Sequence, residues 1–424
     1  MKFVFPLITL FLIVGCKDNP SNTEEPETPT ENTIQKCENG LIAEKYECKN
    51  FDLLTNISKD DLGDDRVIYD MWGWTDTQNN SDYVLLALSS KVLFIEVSDP
   101  LEPKIIGELP ESQLDIDFTI KTRSDATNRA VKTYYDHLFV VSDGQPHGMQ
   151  VFDLTNLRDY SGEYLTFTED ALYEGAYNAR NIEISEESGF AYLSGVIQGE
   201  DCSKGGLHIV NINEPKSPSY AGCYDADFPS GNSSISPEYT YNSNCFNYDG
   251  PDPDYQNREL CFLGKGNAFV IVDVTEKTSI TLVDYIQQWN SYSTINDGAF
   301  SPSLQYYFLN PRGGANIYIW DISDLDNPTF YTNTSDQLQG RNQDLQSKNT
   351  QLYLSNREGG FYLLDYSNIN FRNFPVDAYF GKQSNRVESQ DRTDIRSSYI
   401  DFEDFIALSD SKNGVFLLEL NFSD

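Results

Sequence analysis

The sequence predicts an all-β fold, a seven-bladed β-propeller, and three observations support that fold class. A strand-forming phrase that ends in an acidic or amide residue recurs along the 424-residue chain, in forms such as "LFIEVSD", "FVIVDVTE" and "IYIWDISD". Tyr and Phe, which favour strands, number 27 and 25. No stretch keeps the helical apolar period of about 3.6 residues over several turns. These features indicate repeated β-units with little helix.

Seven units emerge when the phrase is aligned on its acidic or amide position, at intervals of roughly 40 to 60 residues. The aligned positions are Glu96, Asp153, Asn211, Asp273, Asp321, Asp365 and Glu419. Each phrase follows another strand-like run and a polar or Gly-bearing turn, which is typical of β-hairpins. A third, more polar segment precedes each hairpin, as in "ARNIEISE", and a variable outer strand completes a four-stranded blade. A solenoid is the alternative, but it requires stricter periods and polar capping repeats.

The closure of the propeller requires a strand from elsewhere in the chain. The last unit reaches Asp424 straight after its third strand, which leaves an open edge. Ahead of the first blade lies the apolar segment "GLIAEKYECKNFDLL", from Gly40 to Leu54. We expect this segment to cover the open edge. Residues 37–424 then form the propeller, and residues 37–66 are an N-terminal segment braced by a Cys37–Cys48 disulfide.

The N-terminus "MKFVFPLITLFLIVGC" predicts a lipoprotein signal peptide over residues 1–15. Its apolar run is too short to span a bilayer, and Leu-Ile-Val-Gly-Cys closely resembles a bacterial lipobox, in which Cys16 is lipidated after cleavage. An ordinary signal peptide with a chance Cys is the alternative. Residues 16–36 are rich in Pro, Thr, Glu and Asn, which predicts a disordered linker. We therefore expect a bacterial outer membrane lipoprotein, periplasmic or surface-exposed, that is held to the membrane through its lipid anchor.

Charge and cysteine content limit the partners and the compartment. A net charge of −36 repels phosphate backbones, so no nucleic-acid partner is expected. Besides Cys16 the chain has six cysteines, namely Cys37, Cys48, Cys202, Cys223, Cys245 and Cys261. In an exported protein such a set predicts disulfides, and pairing of sequence neighbours is the simplest of the many connectivities. A zinc site is the competing interpretation, but no CxxC motif occurs.

Several phrases are shared with a known family. They include "WGWTDTQNNSDYVLLAL" from Trp72, "VVSDGQPHGMQVFDLTNLRD", "GGLHIVNINEPKSPSYAGC" and "YDGPDPDYQNRELCF". These phrases are closely similar to the choice-of-anchor B family of LVIVD-repeat lipoproteins, and the resemblance runs from about Cys37 to the end of the chain. It implies a seven-bladed propeller carried outside the cytoplasm. Cysteines at matching places also support the local pairs Cys202–Cys223 and Cys245–Cys261. The resemblance implies no reaction.

The sequence departs from that family at the start of several inner strands. Where family members carry His, this chain has Arg180, Asn244, Asn296 and Arg341, and it contains only 3 His in total. Arg cannot serve, and Asn serves poorly, as a transition-metal ligand, so a metal site of this type is not expected.

The same positions suggest an anion site at the mouth of the channel. The candidate ligand-binding residues are Arg180, Asn181, Asn296, Asp297, Arg341 and Asn342, with Arg129 and Arg396 close to the same level. Planar guanidinium groups facing one channel suit a carboxylate, a sulfate or a sugar acid. The alternative is that Asp297 and Asp394 neutralise the arginines, which then serve as a structural plug.

Two further questions concern cofactors and catalysis. The loop "NYDGPDPDYQNRE" places Asp249, Asp252 and Asp254 together, which suits Ca²⁺, although a solvated acidic loop is the alternative. No other cofactor is predicted. The sequence has no GxSxG, HExxH or Walker motif, so no catalytic residue is assigned. The favoured function is a binding or assembly module for protein or glycan partners. The alternative is a channel-site hydrolase or lyase acting on acidic sugars or other small anions.

Overall fold

A computed structural model describes residues 33–63, 67–114, 128–144, 146–226, 239–266, 268–287, 294–334, 338–371, 374–381 and 393–422. The expected signal peptide, Cys16 and most of the expected linker lie outside these ranges. Three strands precede the first blade: β1 (Leu41–Ile42), β2 (Tyr46–Lys49) and β3 (Phe51–Ile57).

The first four blades follow one another along the chain. Blade 1 consists of β4 (Ile68–Asp76), β5 (Ser81–Leu88), β6 (Lys91–Glu96) and β7 (Lys104–Pro110), to which β11 (Leu165–Thr166) adds in parallel. Blade 2 consists of β8 (Arg129–Tyr134), β9 (His137–Ser142), β10 (Met149–Asp153) and β12 (Ala171–Tyr173). Blade 3 consists of β13 (Asn181–Ser185), β14 (Phe190–Val196), β15 (Gly206–Asn211) and β16 (Ser219–Tyr224). Blade 4 consists of β17 (Asn242–Asn247), β18 (Glu259–Gly264), β19 (Ala268–Asp273) and β20 (Thr281–Gln287).

The remaining three blades complete the ring. Blade 5 consists of β21 (Ile295–Phe300), β22 (Tyr306–Pro311), β23 (Tyr318–Asp321) and β24 (Thr329–Asn333). Blade 6 consists of β25 (Asn342–Lys348), β26 (Gln351–Asn356), β27 (Gly360–Asp365) and β28 (Val376–Gly381), and blade 7 begins with β29 (Ile395–Tyr399), β30 (Ile406–Asp410) and β31 (Gly414–Leu420). The helical elements of the described ranges are the short 3₁₀ turns η1 (Leu154–Asp159), η2 (Pro253–Tyr255) and η3 (Ile369–Phe371). These elements confirm the predicted all-β, seven-bladed propeller.

The recurring acidic or amide residue ends the third strand of blades 1 to 6, and in five of these blades its side chain bonds to the following turn. The side chains of Asp153, Asp273, Asp321 and Asp365 each accept a hydrogen bond from the backbone N–H two residues further on, at 2.7–3.0 Å. Asn211 does the same in blade 3. Asp and Asn favour such turns because their short side chains reach this N–H. The repeated phrase is therefore a strand followed by its turn.

The hydrophobic core lies between adjacent blades rather than at one centre. Every residue of β19 is buried, because this middle strand is covered by a neighbouring blade on each face. Between blades 1 and 2, the ring centroids of Phe94 and Phe152 lie 5.1 Å apart, and Phe167 packs against both rings. The inner strands differ, since strands such as β25 mix buried apolar residues with polar residues that line the central channel.

The N-terminal strands complete two different blades. Strand β3 pairs antiparallel with β31 and supplies the fourth strand of blade 7. Strand β2 pairs instead with β28 at the outer edge of blade 6, where Cys48 lies opposite Phe380. The sequence assigned Gly40 to Leu54 to the last blade as one unit, whereas the structure divides this region between blades 6 and 7.

Disulfide bonds, as expected of an exported chain, are present in the described ranges. They join Cys37 to Cys48, Cys202 to Cys223 and Cys245 to Cys261. The first links the start of the described chain to β2, and the third joins directly opposite residues of β17 and β18. Each bond closes a short loop, which restricts the unfolded chain.

Candidate functional site

The central channel is lined by the first strand of each blade. These inner strands are β4, β8, β13, β17, β21, β25 and β29, and each contacts the next around the ring, with β29 returning to β4. All seven run in the same direction along the channel, so residues at equivalent positions lie at one level. Two levels carry charge, one where the inner strands begin and one further along them.

The first level is a group of arginines that we call the arginine mouth: Arg180, Arg312, Arg341, Arg357 and Arg396. Arg180 and Arg341 directly precede β13 and β25, and Arg396 is the second residue of β29. Arg312 and Arg357 directly follow the second strands β22 and β26, which run back to the same end of the channel. Strand topology thus places all five at the end where the inner strands begin.

Carboxylates pair with four of these arginines. Arg180 Nη1 lies 3.4 Å from Asp143 Oδ2, and Arg341 Nε donates to Glu358 Oε1 at 2.9 Å. Asp394 accepts from Arg357 at 2.8 Å and from Arg396 at 2.9 Å. Burial alone would raise the pKa of Asp394, but its bonds to Arg357 and the charges of Arg357 and Arg396 lower it.

Arg312 differs from the other four because no carboxylate pairs with it among the described residues. Its side chain is exposed to solvent at the mouth. The surrounding protein, followed by the positive charge of Arg180 and of further arginines, lowers the pKa of Arg312. The group still stays charged at any physiological pH, because an arginine begins from a pKa above about 12. The lowered pKa thus reflects desolvation by the surrounding protein first, and the neighbouring positive charges of the mouth second.

The asparagines predicted beside the arginines form hydrogen bonds with other residues of the protein. Asn181 donates a hydrogen bond to Asn242, and Asn242 in turn donates to Asp297 Oδ1 at 2.6 Å. Asn342 is buried, donates to the backbone oxygen of Ala315 at 3.0 Å and accepts from Asn356 at 2.8 Å. The side chain of Asn296 lies outside the described part of the chain. Asn181 thus links neighbouring inner strands, whereas Asn342 ties β25 to β26 and to the backbone at Ala315.

The second charged level is a group that we call the carboxylate waist: Asp70, Glu183, Asp297 and Asp344, with Lys132 among them. Three of its acids accept a backbone N–H from the inner strand of the next blade. Asp70 accepts from Val131 at 3.1 Å, Asp297 from Leu345 at 2.7 Å and Asp344 from Ser398 at 3.1 Å. The same connection thus joins blades 1 and 2, blades 5 and 6, and blades 6 and 7.

Glu183 and Lys132 form the part of the waist that lacks such bonds. Lys132 Nζ lies 3.8 Å from Glu183 Oε2, which is too long for a hydrogen bond, and sits 3.2 Å from the centroid of the Trp72 ring. Neither side chain is hydrogen-bonded to another described residue. They face a cavity of about 370 Å³ that reaches Lys348, Ile400 and Asp401, where the inner strands end.

Burial raises the pKa of every acid in the waist. The pKa of Asp70 rises to about 6, and that of Glu183 rises as well. The pKa of Asp297 rises well above its usual range because of burial and the adjacent charge of Asp344. Burial also raises the pKa of Asp344 itself. Lys132 opposes these shifts at all four acids, but one ammonium group cannot balance four carboxylates.

The remaining residues from the sequence lie apart. Arg129 is fully buried, donates to Glu111 at 3.0 Å and lies 3.0 Å from His147 Nε2. Burial, followed by the charge of Arg129, lowers the pKa of His147 to about 3. His208 lies in a different blade, where burial lowers its pKa to about 4 and its Nε2 lies 2.9 Å from the hydroxyl of Tyr173. His147 and His208 therefore lie in separate surroundings, each with its own partner.

The acidic loop of blade 4 is fixed by one of its three aspartates. Asp252 is buried, accepts from the backbone N–H of Asp254 at 3.0 Å, and accepts from that of Leu325 at 2.8 Å. Asp249 and Asp254 are exposed. In the described ranges, no group of three or more His, Cys, Asp or Glu side chains could hold a metal ion. Calcium binding by this loop stays a prediction from the sequence.

Sequence reasoning found Arg180, Arg341 and Asp297 but missed most of the waist. Lys132, Glu183 and Asp344 were visible as charged residues within the predicted inner strands, where alternate side chains face the channel. Arg312 and Arg357 each directly follow a second strand, in the similar turns "NPRGG" and "NREGG", and this shared Arg was the signal that could have identified them.

Similarity to known proteins is weak. No protein-family model and no curated protein matches the sequence. Among solved structures, the C-terminal WD40 domain of Sif2 is similar at 9% identity, covering 88% of this chain and 98% of that chain, with a TM-score of 0.49. YCF48 bound to D1 peptide is similar at 12% identity, covering 92% of this chain and 100% of that chain, with a TM-score of 0.49. A functionally unknown protein from Desulfotomaculum acetoxidans DSM 771 is similar at 14% identity, covering 75% of this chain and 86% of that chain, with a TM-score of 0.49.

These identities limit the likeness to the overall fold. In the described residues, moreover, no helix has the length and apolar character needed to cross a membrane.

Proposed function

We propose that the protein is a membrane-anchored, extracytoplasmic β-propeller of the choice-of-anchor B type, which binds an anionic protein or glycan partner at the arginine mouth. The repeated phrases and the lipobox-like N-terminus support the family and the anchor. The observation that carries the binding function is Arg312, an exposed arginine without a carboxylate partner in the described residues, beside four other arginines.

The charge balance of the mouth favours an anion. Five guanidinium groups face three paired carboxylates, those of Asp143, Glu358 and Asp394, within the described part of a chain whose net charge is −36. A local excess of positive charge on so acidic a protein marks a site that attracts acidic groups. Guanidinium groups bind carboxylates and sulfates through two parallel hydrogen bonds. Arg341 is also available, because its side chain is 49% exposed despite the bond to Glu358.

A binding experiment tests this proposal. We expect the purified full-length protein to bind immobilised polygalacturonate, an acidic polysaccharide, and not a neutral galactan. Arg312→Ala should weaken binding at least about tenfold, which corresponds to about 1.4 kcal/mol. The matched control is Arg258→Ala. Arg258 is an exposed arginine that pairs with Asp273, and it lies in the loop between β17 and β18, at the end of blade 4 opposite the mouth.

Two results would contradict the anion site. One is equal loss of binding in Arg312→Ala and Arg258→Ala, which would indicate general electrostatics. The other is the absence of binding to any acidic glycan or acidic peptide by the wild-type protein. In that case the arginines serve as a structural plug, with Asp143, Glu358 and Asp394 as their partners.

The alternative, a channel-site hydrolase or lyase acting on acidic sugars or other small anions, has less support. Carboxylic acids with raised pKa values, like those of the waist, are typical of general acids. Four carboxylates around one Lys132, however, repel an anionic substrate, and three of them already hold the backbone of the next blade. Hydrolysis of an acidic oligosaccharide that disappears in Glu183→Gln would favour the enzyme.

The anchor and the location are proposals that depend on Cys16. If this residue carries the lipid, Cys16→Ser should move the protein from the detergent phase to the aqueous phase, or leave it as an unprocessed precursor. Phase partitioning followed by mass determination of the N-terminal peptide measures both. A mutant that partitions like the wild type would contradict lipidation at Cys16. Protease accessibility on intact cells would then distinguish a periplasmic from a surface-exposed protein.

A further inference from the structure

The cavity at the carboxylate waist has the volume of a small-molecule site. Its volume of about 370 Å³ falls within the range of roughly 300–1,000 Å³ that ligand pockets occupy. It lies between inner strands of several blades, with Trp72 and Phe300 as aromatic walls and Lys132, Glu183 and Asp344 as charged walls. It reaches the end of the channel opposite the arginine mouth, and no arginine of the mouth lines it.

Two charged groups in this cavity have no hydrogen bond from the described protein. Glu183 and Lys132 contact each other at 3.8 Å, and Lys132 otherwise rests on the Trp72 ring. Asp344 uses one carboxylate oxygen to accept from Ser398 and from Gln346, while no described donor reaches the other oxygen. The side chains of Lys132 and Glu183 are 22% and 27% exposed, so water or a bound molecule can supply the missing hydrogen bonds. The unused oxygens of Glu183 and Asp344 therefore face the cavity as acceptors.

The sign of the local charge decides what such acceptors can bind. Lys132 is the cation that acts on all four acids of the waist. An additional positive charge would relieve the repulsion between Asp297 and Asp344. The described side chains do not form a group of three or more acids that could hold a metal ion. A primary ammonium group suits the site better, because it donates separate hydrogen bonds to acceptors that do not converge on one point.

We propose that the waist cavity binds a small organic cation, a primary amine whose ammonium group donates to Glu183 and to the free oxygen of Asp344. The hydrocarbon part of the amine packs against the aromatic walls, since Lys132 already shows that an ammonium group is tolerated over Trp72. A second polar group on the ligand reaches the opening near Asp401, which is 54% exposed. The site is independent of the anion-binding arginine mouth.

Calorimetric titration of the full-length protein with 1,4-diaminobutane tests the proposal. The matched probes are neutral 1,4-butanediol and anionic succinate, neither of which should bind. Glu183→Gln should weaken diamine binding at least tenfold while keeping nearly the same side-chain shape. The control is Glu214→Gln, which removes the same charge from an exposed position of the same blade. Arg312→Ala should leave diamine binding unchanged, so that failure of this site and failure of the arginine mouth can be distinguished.

A second variant guards against misfolding of the first. Asp344→Asn keeps an oxygen that can accept from Ser398 and should also weaken diamine binding, with an unchanged circular dichroism spectrum. Absence of diamine binding by the wild type would overturn the proposal. Equal weakening in Glu183→Gln and Glu214→Gln would also overturn it, because the attraction would then be that of the acidic surface. Displacement of the diamine by Ca²⁺ at lower concentration would assign the cavity to a metal ion instead.

Discussion

The two charged levels of the channel balance their charges in different ways. At the arginine mouth, Arg180, Arg341 and Arg357 pair with carboxylate side chains that belong to loops. At the carboxylate waist, Asp70, Asp297 and Asp344 accept hydrogen bonds from the backbone of the next blade. The first arrangement joins side chains that solvent can also satisfy. The second joins the inner strands of neighbouring blades directly.

This difference separates structural residues from residues that remain for binding. When an acid accepts a hydrogen bond from the backbone N–H of the next blade, removing the acid leaves that N–H unsatisfied. The main role of such an acid is therefore to stabilise the contact between blades. Glu183 occupies the same level in blade 3 but makes no such bond in the described structure. Similarly, Arg312 lies at the mouth but pairs with no carboxylate of the described residues. At each level, the residue that lacks a hydrogen bond to another described side chain or backbone group is the candidate for ligand binding.

The largest expected effect is a loss of stability as pH rises from about 4 to about 6. Burial raises the pKa of Asp70 from 3.8 to about 6, so the folded protein binds more protons than the unfolded chain between these values. Stability supplied by the protonated form is therefore present below the unfolded pKa and lost as pH rises through the folded one. The loss from this residue is at most about 3 kcal/mol. Urea denaturation at pH 4.5 and pH 7 measures it.

The acidic surface adds to this trend, so a variant must isolate the waist. Asp70→Asn removes the titrating group and keeps an oxygen that can accept from Val131. We expect the free energy of unfolding to change less with pH in this variant than in the wild type. Asp394 at the mouth behaves in the opposite sense, because its lowered pKa gives stability that is lost only as pH falls below about 4. Parallel pH profiles of wild type and Asp70→Asn would contradict the assignment.

A smaller effect is expected when one link between blades is removed. Asp297→Ala leaves the buried N–H of Leu345 and the amide of Asn242 without their acceptor, which should lower the free energy of unfolding by about 2 kcal/mol. Glu276→Ala, which removes an exposed acid from the same charge background, should have no comparable effect. Urea titration of both variants decides. Equal stability of Asp297→Ala and wild type would mean that this acid is not a structural link.

Residue patterns predicted the ring better than the site, for a physical reason. The turn after each third strand needs an Asp or Asn at one position, so Asp153, Asp273 and Asp321 mark the blades in the sequence itself. Closure needs apolar residues ahead of blade 1, and these were visible as well. The sequence did not show that β2 would pair with blade 6 and β3 with blade 7. This division depends on the path of the chain after Lys49, which no local residue pattern predicts.

The site depends on contacts between loops of different blades. Arg180 and Arg341 were found because they hold equivalent positions before inner strands. Their partners Asp143 and Glu358 lie in turns between second and third strands, and nothing in a repeat alignment indicates which of 66 acidic residues will face them. The same holds for Lys132 and Glu183, which lie on the adjacent inner strands β8 and β13 of two different blades.

The smallest expected effect concerns the pair of Arg341 and Glu358 at the mouth. Arg341 is 49% exposed, so water replaces much of what it loses when Glu358 is removed, and exposed ion pairs contribute about 0.2–1 kcal/mol. Arg341→Ala, Glu358→Ala and the double variant form a cycle whose coupling energy should therefore stay below about 1 kcal/mol and shrink further in 0.5 M salt. A coupling energy above about 2 kcal/mol that does not change with salt would show that this ion pair stabilises the mouth as strongly as the hydrogen bonds between blades stabilise the waist. The contrast between the two levels would then fail, and Arg341 would belong to the structural framework rather than to a surface that a partner can enter.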